Sequence, residues 1–471
     1  MGDLTGLQML LGGLSQAADR PLVSYRDQWH SGADILAGAE GFAAQMRQAG
    51  LGSGQCVWII VTDNLSAMQM QMAAWLLGAS SLLLDFRSTA HRFARLRAKL
   101  PPDLVVSTRK IVAAEALAPL VLRAEPASGI APGAASADLI ADYATTSGST
   151  GLPKLTALTQ ARMGQRIRQL IHGGERGPWG VALSALSVAF PASRFIWYRN
   201  LAAGVPLVAL DLLHSLAELD AGLMRPEVAD CTLPPAVIRR LAHLPVAAVP
   251  RYPHLTLLQA VGGPALAADK VLAVRHLTPN YAMTYSSTEC GVISRISGAE
   301  VLARPASCGR LLPGVQVTIQ QDGRVGDPGQ VGEISVTRAD GIVVQTGDLG
   351  WLDADGYLYV TGRVQGLLCR NGVNFSADRL TDAALMAADV LDAVVVALPG
   401  PDGDDQVHLI VECHGADQPA IAARIRSLLP AAEQPDRHHF MRGLPRGAGG
   451  KVDMPQLRDT LIGILEAENG R

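Results

Sequence analysis

Residues 145–154 read Thr-Thr-Ser-Gly-Ser-Thr-Gly-Leu-Pro-Lys, and this stretch limits the fold and chemistry of the chain more than any other. It follows the largely apolar run 139–143. Glycines let backbone N–H groups approach an anion closely, hydroxyls donate further hydrogen bonds, and the lysine adds positive charge. The spacing differs from that of the loop ending in Gly-Lys-Ser/Thr. We therefore predict a polyphosphate-binding loop of another kind, rather than a flexible linker.

The composition is that of a globular enzyme with more than one domain. The chain has 471 residues, of which 48% are hydrophobic and 18% charged, and its formal net charge is −3. This length exceeds what one hydrophobic core usually organises, so two or three domains are expected. The near-neutral overall charge argues against nucleic acid as a partner.

Targeting and redox features predict a cytoplasmic protein. The N-terminus lacks the basic patch and long apolar core of a signal peptide, and no run of 18 apolar residues predicts a membrane span. The cysteines have no paired CxxC spacing, which indicates a reducing compartment and neither a disulfide framework nor a zinc site. They are Cys56, Cys231, Cys290, Cys308, Cys369 and Cys413.

Over the first two-thirds of the chain, short apolar runs alternate with helical patterns. A helix is predicted over 66–77, and another begins after Thr159, a predicted N-cap, with Met163 and Ile167 on its apolar face. This alternation predicts a mostly parallel sheet covered on both faces. The predicted strands are 55–63, 81–86, 103–107, 181–188, 205–211 and 255–261.

Past residue 305 the sequence pattern changes to short predicted strands separated by turns that contain Gly, Asp and Pro. This pattern is typical of antiparallel structure. From about 367 a further unit begins, with a predicted helix near 418–429 and about 100 residues in all, enough for a small α+β domain. The strands predicted in this part are 315–320, 332–337, 356–360, 391–398 and 406–413.

Five further segments are polar or glycine-rich islands between apolar runs. Gly262-Gly263-Pro264 follows a predicted strand, at the edge where open α/β sheets bind ligands. Residues 285–289 (Tyr-Ser-Ser-Thr-Glu) combine an aromatic ring, hydroxyls and a carboxylate. Thr346-Gly347-Asp348 places a carboxylate at a predicted tight turn. Gly362-Arg363 precedes the last unit, and residues 445–451 (Pro-Arg-Gly-Ala-Gly-Gly-Lys) place a lysine on a glycine-rich loop.

In their order along the chain, these motifs resemble the adenylate-forming superfamily. That superfamily includes acyl- and aryl-CoA synthetases, adenylation domains of nonribosomal peptide synthetases, and luciferases. The resemblance spans roughly residues 20–460, and it includes 308–314 (Cys-Gly-Arg-Leu-Leu-Pro-Gly), which looks like the segment before the family's β-rich subdomain. Each motif alone is weak evidence for the superfamily, but the occurrence of all of them in the same order is specific to it.

The resemblance implies an α/β fold with a large N-terminal domain of doubly wound mixed sheets and a small mobile C-terminal α+β domain. The large domain would cover residues 1–362, including a β-rich subdomain at about 305–362. Residues 363–366 would form a hinge around Gln365, and 367–471 a lid domain.

The resemblance also implies how ATP is bound. The loop would wrap the β- and γ-phosphates, Tyr285 would stack on adenine, and Asp348 would bind the ribose hydroxyls. The implied ATP-binding residues are Thr146, Ser147, Gly148, Ser149, Thr150, Gly151, Lys154, Gly262, Gly263, Pro264, Tyr285, Asp348 and Arg363.

Three residues would carry the chemistry. Lys451 would reach the carboxylate and the α-phosphate, Thr288 would touch the α-phosphate, and Glu289 would hold Mg²⁺. No residue needed for adenylation is missing from the sequence.

Departures from the family pattern bear on the substrate. The implied acyl pocket includes Phe190, Pro191, Gly263 and Ser286, where Ser286 replaces a common glycine. Pro191 stands where amino-acid-activating domains carry an aspartate for the substrate's α-ammonium. An unpartnered buried ammonium is unfavourable by several kcal/mol, so an α-amino acid substrate is disfavoured.

The segment 369–375, which contains Gly372, looks like the lining of the pantetheine tunnel of CoA synthetases. The acidic residue usual beyond the hinge is absent. Ser376-Ala377-Asp378-Arg379 stands there instead, which we interpret as surface variation.

The sequence thus predicts an AMP-forming carboxylate–CoA ligase that uses ATP, Mg²⁺ and coenzyme A. Its substrate would be a small carboxylic acid without an α-ammonium. Three alternatives stay open: an adenylating enzyme that loads a carrier protein's phosphopantetheine, an o-succinylbenzoate–CoA ligase, and an inactive adenylate-fold sensor. The intact loop, Glu289 and Lys451 argue against the sensor.

Overall fold

A computed structural model describes most of the chain, and its contacts divide the protein into two compact units. The first comprises residues 1–233, 251–259 and 447–450, and the second comprises 234–250, 260–446 and 451–471. The described residues are 4–130, 136–146, 154–172, 180–245, 249–287, 290–321, 324–327, 329–337, 341–364, 367–370, 373–387, 389–399, 405–414, 417–447 and 450–469.

The first unit alternates strands with helices. Its strands are β1 (Pro21–Tyr25), β2 (Gln28–Ser31), β3 (Cys56–Val61), β4 (Ser80–Asp85), β5 (Leu104–Ser107), β6 (Leu120–Val121), β7 (Ile140–Thr146), β8 (Lys154–Thr159), β9 (Val181–Ser184), β10 (Leu207–Ala209), β11 (Val228–Leu233) and, at its boundary, β12 (Leu257–Ala260). Its helices are α1 (Gly6–Gln16), α2 (Gly32–Gln48), α3 (Asn64–Leu76), α4 (Ala90–Lys99), α5 (Gln160–His172), α6 (Pro191–Ala203) and α7 (Leu216–Leu223), and a 3₁₀ helix spans Val112–Leu117.

Two mixed sheets organise this unit. One has the order β6-β5-β3-β4-β7-β8, and its pairs are parallel except for β7 with β8. In the other, β1, β10, β9 and β11 pair in parallel, and β2 is antiparallel to β1. Every residue of β3 is buried, as expected for an apolar strand covered on both faces.

Helices α1, α2, α3, α5 and α6 contribute to the main core of the first unit, around Phe42, Trp75 and Trp197. Local signals in the sequence begin several of them. Ser31 and Asp34 form a capping box at the start of α2. Thr159 caps α5 as predicted, because its Oγ1 accepts from the N–H of Arg162 at 3.3 Å.

The second unit is rich in antiparallel strands. Its strands are β13 (Tyr281–Ser287), β14 (Gly291–Ser297), β15 (Gly309–Leu311), β16 (Gln316–Gln321), β17 (Arg324–Val325), β18 (Gly332–Thr337), β19 (Val343–Leu352), β20 (Tyr357–Arg363), β21 (Leu367–Arg370), β22 (Val373–Ser376), β23 (Val390–Pro399), β24 (Asp405–Cys413) and β25 (Arg437–Met441). Its helices are α8 (Pro235–Ala242), α9 (Ala267–Leu272), α10 (Ala299–Ala303), α11 (Ala377–Leu385), α12 (Gln418–Leu428) and α13 (Met454–Asn469), with a π-helical turn over Ala273–Leu277 and a 3₁₀ turn over Ala431–Glu433.

Strands β17-β16-β18-β19-β20-β15-β14-β13 form an antiparallel series in this unit. Strands β23-β24-β25 form a separate sheet, with β21 and β22 as a hairpin. The predicted α/β class with mixed sheets and a β-rich part is confirmed. The predicted hinge at 363–366 falls within the second unit, so the domain bounds stay a prediction.

In the part of the chain that is described, no helix combines the length and the apolar character needed to cross a membrane.

Candidate active site

The predicted phosphate loop is closed at its base by a strand pair. Strands β7 and β8 are antiparallel, and Thr146 pairs with Lys154 at the end of the ladder. This register brings the two ends of segment 147–153 together. The predicted phosphate-binding residues Ser147, Gly148, Ser149, Thr150 and Gly151 lie outside the described residues.

The strand that leads into this loop is held by a buried ion pair. Arg194 Nη2 lies 3.0 Å from Asp142 Oδ2, and both side chains are buried. Gln71 Nε2 donates to Asp142 Oδ1 at 3.2 Å, and the Tyr198 hydroxyl donates to Gln71 Oε1 at 2.6 Å. Burial raises the pKa of Asp142 to about 6, and the charge of Arg194 opposes that shift. The network therefore fixes β7 against α6.

Helix α6 carries the predicted acyl-pocket residues Phe190 and Pro191. Phe190 precedes the helix and Pro191 is its first residue, a position where proline's fixed φ suits a helix start. Both are half-buried. One turn on, the ring of Phe195 is half-buried and lies 5.7 Å from the guanidinium carbon of Arg166. The first turn of α6, which is described throughout, contains no acidic side chain. No carboxylate there could pair with a substrate ammonium.

The glycine turn predicted to flank the nucleotide follows β12 directly. Gly262 has φ +90°, in the left-handed region that favours glycine. Gly263 is half-buried, and a Cβ built on it would meet only Pro235, at an ordinary 3.8 Å. Pro264 is exposed. The conformation at Gly262 explains why this turn needs a glycine.

Asp348 is the centre of a polar cluster in the second unit. Its Oδ2 accepts from the Tyr285 hydroxyl at 2.6 Å, and its Oδ1 accepts from Arg363 Nε at 3.0 Å. The Asp348 side chain is 13% exposed, whereas that of Arg363 is 67% exposed. The structure thus brings together three of the predicted nucleotide-binding residues. Ser286 follows Tyr285 and is exposed.

The prediction of a tight turn at Thr346-Gly347-Asp348 is wrong. These residues lie inside β19, where the register with β18 shifts between Gln345 and Leu349. Gly347 adopts φ +73°, and Thr346 Oγ1 donates to the carbonyl of Ile334 and accepts from the N–H of Asp348. The segment is therefore a bulge, a device that redirects a side chain without ending the strand.

The loop that carries Lys451 has an anchored base. Arg446 Nη2 contacts Asp392 Oδ2 at 2.7 Å and Glu412 Oε2 at 2.5 Å, on strands β23 and β24. Arg446 also forms an isolated antiparallel bridge with Val452. These contacts fix both ends of the loop, so Lys451 projects from a defined position.

Lys451 and the Asp348 cluster influence one another electrostatically. Lys451 is exposed to solvent, although neighbouring protein atoms displace part of the hydration of its ammonium. This desolvation, together with the positive charge of Arg363, lowers the pKa of Lys451, while Asp348 opposes the shift. A lysine whose pKa is lowered by its surroundings is typical of a functional site.

Several predicted residues lie outside the described part of the chain: Thr288, Glu289, Gln365 and Gly372. Among the described residues, no group of three or more His, Cys, Asp or Glu side chains could hold a metal ion. Mg²⁺ commonly uses one or two carboxylates plus substrate phosphates and water. A single carboxylate such as Glu289 would fit that pattern, and its role as a ligand stays a prediction.

Sequence reasoning missed several supporting residues. The Asp142–Arg194 pair joins positions 52 residues apart, and no local signal marks it. The interpretation of Asp378 as surface variation is also wrong. Asp378 is half-buried at the start of α11, where burial raises its pKa and the charge of Arg363 lowers it. The nearby hinge motif could have suggested a role for this carboxylate.

Known proteins similar to this chain include ligases that act on carboxylic acids. The 2-succinylbenzoate–CoA ligase of Geobacillus kaustophilus is 26% identical over 475 residues, covering 90% of this chain and 92% of the relative. The fatty acid–[acyl-carrier-protein] ligase ScoC of Streptomyces coeruleorubidus is 27% identical over 356 residues, covering 68% and 67%.

Solved structures share the fold at lower identity. The o-succinylbenzoate CoA synthetase MenE of Bacillus subtilis, bound to its acyl-adenylate intermediate, superposes with a TM-score of 0.80 at 20% identity, covering 96% of this chain and 97% of that one. The amide bond synthetase McbA of Marinactinospora thermotolerans gives 0.69 at 22% identity, covering 97% and 99%. The family model for AMP-binding enzymes matches residues 14–342. The chain therefore belongs to the AMP-binding enzyme family, as its motifs predicted.

Proposed function

We propose that this protein is an ATP-dependent, AMP-forming acid–thiol ligase that activates a carboxylic acid as acyl-AMP and transfers the acyl group to coenzyme A. The observation that carries the proposal is the cluster of Tyr285, Asp348 and Arg363 with Lys451 in its electrostatic surroundings. A carboxylate can accept hydrogen bonds from the ribose hydroxyls of ATP. A fixed positive charge can offset the repulsion between the substrate carboxylate and the α-phosphate. This cluster offers both.

In the first half-reaction, a carboxylate oxygen attacks the α-phosphorus of ATP and pyrophosphate leaves. Negative charge accumulates as the carboxylate and the phosphate approach, so the barrier is largely electrostatic. Lys451 would stabilise that charge, and the N–H groups of loop 146–154 would hold the departing phosphates. Glu289 would hold Mg²⁺, which would further neutralise the negative charge of the phosphates.

In the second half-reaction, a thiolate attacks the acyl carbon and AMP leaves. Lys451 would serve adenylation, whereas the segment 369–375 would serve the thiol step. We propose that residues 367–471 form a lid that rotates about 363–366 between the two steps. Gly362 is a suitable start for this hinge because it lacks a side chain that would resist rotation.

We propose a substrate without an α-ammonium, because α6 begins with Pro191 and has no acidic residue in its first turn. Two aromatic rings, Phe190 and Phe195, flank this turn, which supports an aromatic or aliphatic acid. The named substrates of relatives, 2-succinylbenzoate and fatty acids, are of this kind.

A pyrophosphate-release assay over a panel of acids tests the proposal. The panel includes aryl, short-chain and long-chain acids, 2-succinylbenzoate, and proteinogenic amino acids. We expect a simple acid to be activated best. An amino acid activated far better than any simple acid would contradict the interpretation of the pocket. No pyrophosphate release with any acid, despite measurable ATP binding, would instead support the sensor alternative.

The acceptor is tested next, with the best acid. Coenzyme A, a holo carrier protein and a simple amine are compared for consumption of acyl-AMP. We expect coenzyme A to be used most efficiently. Preference for the carrier protein would move the assignment to the carrier-loading alternative, which the relative ScoC represents. We also propose a cytoplasmic location, in keeping with the free thiols of the described cysteines.

A further inference from the structure

Arg239 is a buried cation in the second unit. It lies on α8 and is only 8% exposed. A guanidinium stays charged when it is buried, so it needs acceptors around it. Its Nη2 donates to the carbonyl of Leu385, and its Nε lies 3.6 Å from Asp269 Oδ2 on α9. The Leu385 carbonyl therefore supplies a hydrogen bond that the more distant Asp269 carboxylate does not.

This hydrogen bond joins two parts of the second unit that lie on opposite sides of the proposed hinge. Arg239 precedes residues 363–366, whereas Leu385 ends α11 in the proposed lid, 146 residues later. Carbonyls in the last turn of an α-helix have no partner within the helix and carry partial negative charge, which favours a nearby cation. Helix α8 also contacts β23 of the proposed lid. A rotation about 363–366 would have to break the hydrogen bond.

Carboxylates from both sides of the proposed hinge lie near this hydrogen bond. Asp382 is one turn before the end of α11. Although Asp382 is exposed, desolvation by neighbouring protein atoms and the negative charges of Asp378 and Asp269 raise its pKa to about 6. When Asp382 and Asp269 are both ionised, they repel one another and oppose this arrangement. Arg239 lowers the pKa of Asp269, against the effect of burial, so its charge offsets part of that repulsion.

The conformation that contains this hydrogen bond is suited to adenylation. The charges of Lys451 and Asp348 interact in it, so the lysine is near the predicted ribose-binding carboxylate. Under the proposed function, Lys451 serves acyl-AMP formation, and the segment 369–375 serves the thiol step after the lid has rotated. A contact that stabilises the present arrangement therefore favours the first half-reaction.

We propose that Arg239 is a positioning residue that holds the lid in its adenylation conformation. We call its contacts with the Leu385 carbonyl and the Asp269 carboxylate the Arg239 latch. The inference rests on the proposed function, because it requires one lid that serves two half-reactions. A hydrogen bond to a charged group changes an equilibrium by about 10- to 150-fold. Loss of the latch should shift the ratio of the two lid conformations by that order.

Separate measurement of the two half-reactions in Arg239→Met tests the latch. Pyrophosphate release is followed with the best acid of the panel, and thioester formation is followed from supplied acyl-AMP and coenzyme A. Each rate depends on the population of the conformation that carries it, so the ratio of the rates follows the equilibrium between the conformations. We expect the ratio of the thiol rate to the adenylation rate to rise at least about tenfold. An unchanged ratio, including an equal loss in both rates, would overturn the proposal.

Two further variants assign the effect to the Arg239 contact. Arg239→Lys keeps a cation that can donate to the same carbonyl, so it should restore most of the wild-type ratio. Arg240→Met removes the same charge from the next residue of α8, and it should leave the ratio within about twofold of wild type. An equal rise in Arg239→Met and Arg240→Met would show that general loss of charge, and not the latch, is responsible. Circular dichroism confirms that each variant is folded.

Hydrogen exchange of the full-length protein without substrates gives a readout that does not depend on activity. In Arg239→Met, amides of α8 and of the last turn of α11 should exchange about tenfold faster, whereas those of α12 should be unchanged. An equal rise in α12 would indicate unfolding of the lid and would overturn the proposal. A wild-type protein that catalyses neither half-reaction would contradict the proposed function. Unchanged exchange along α8 and α11, with an active wild type, would contradict the latch alone.

Discussion

Replacing Lys451 with alanine separates the two half-reactions. Lys451 is the only lysine after Lys270, so no neighbouring lysine in the sequence can replace it. Desolvation by neighbouring protein atoms and the charge of Arg363 already lower its pKa. Removing one preorganised charge from such a site lowers the rate by about 10²–10³, or about 3–4 kcal/mol of barrier. We expect Lys451→Ala to lose that factor in acyl-AMP formation.

Pyrophosphate release measures the first half-reaction, and thioester formation from supplied acyl-AMP measures the second. Lys451→Ala should retain the second within about tenfold, since the mutation removes a charge needed only for adenylation. Arg442→Ala, which removes a positive charge from an exposed position of the same unit, is the control. It should retain the rates of both half-reactions. Equal loss in both halves for Lys451→Ala would refute the assignment.

The remaining predictions concern pH, nucleotide binding, stability and the hinge. Because the pKa of Lys451 is lowered, its positive charge is lost as pH rises through a value below the ordinary 10.5. The rate of adenylation should begin to fall at that pH, and this fall should be absent in Lys451→Ala. A wild-type rate that falls only at pH 10.5 or above would contradict the prediction. Asp348→Asn should raise the KM for ATP about 10- to 150-fold, because it removes a hydrogen bond between the ribose and a charged group. An unchanged KM would exclude a ribose contact. Asp142→Asn should lower the free energy of unfolding by about 3–5 kcal/mol in urea melts, because it leaves the buried charge of Arg194 unpaired, and the double variant Asp142→Asn/Arg194→Met should recover most of that loss. Gln365→Pro fixes φ and removes an N–H, so it should impair one half-reaction and spare the other; wild-type rates in both would place the hinge elsewhere.

Local patterns in the sequence were enough to predict some of the elements of the fold. Strand 332–337 was predicted with the bounds that the structure shows, and the Thr159 cap was predicted from one hydroxyl before an apolar helix face. These signals depend on neighbours within a few residues. The ordered motifs were also enough to identify the family, because each lies in one short segment.

Some conformations near the site could not be predicted from local sequence. Thr346-Gly347-Asp348 has turn composition, yet β18 pairs alongside it and makes the segment a bulge within a strand. The identity of the pairing strand decides between those two conformations. That strand, β18, directly precedes β19 in the chain, but the composition of residues 346–348 does not show that the pairing continues past them.

The sequence by itself determined the family, the class of fold and the chemical groups available for adenylation. Only the tertiary structure decided which of those groups meet. It placed the Asp348 carboxylate between Tyr285 and Arg363, and it paired Arg446 with Asp392 and Glu412 beneath the lysine loop. The physical reason is that hydrogen bonds and ion pairs depend on separations of about 3 Å. Such separations are set by the packing of whole sheets, whereas residue order fixes only what lies nearby along the chain.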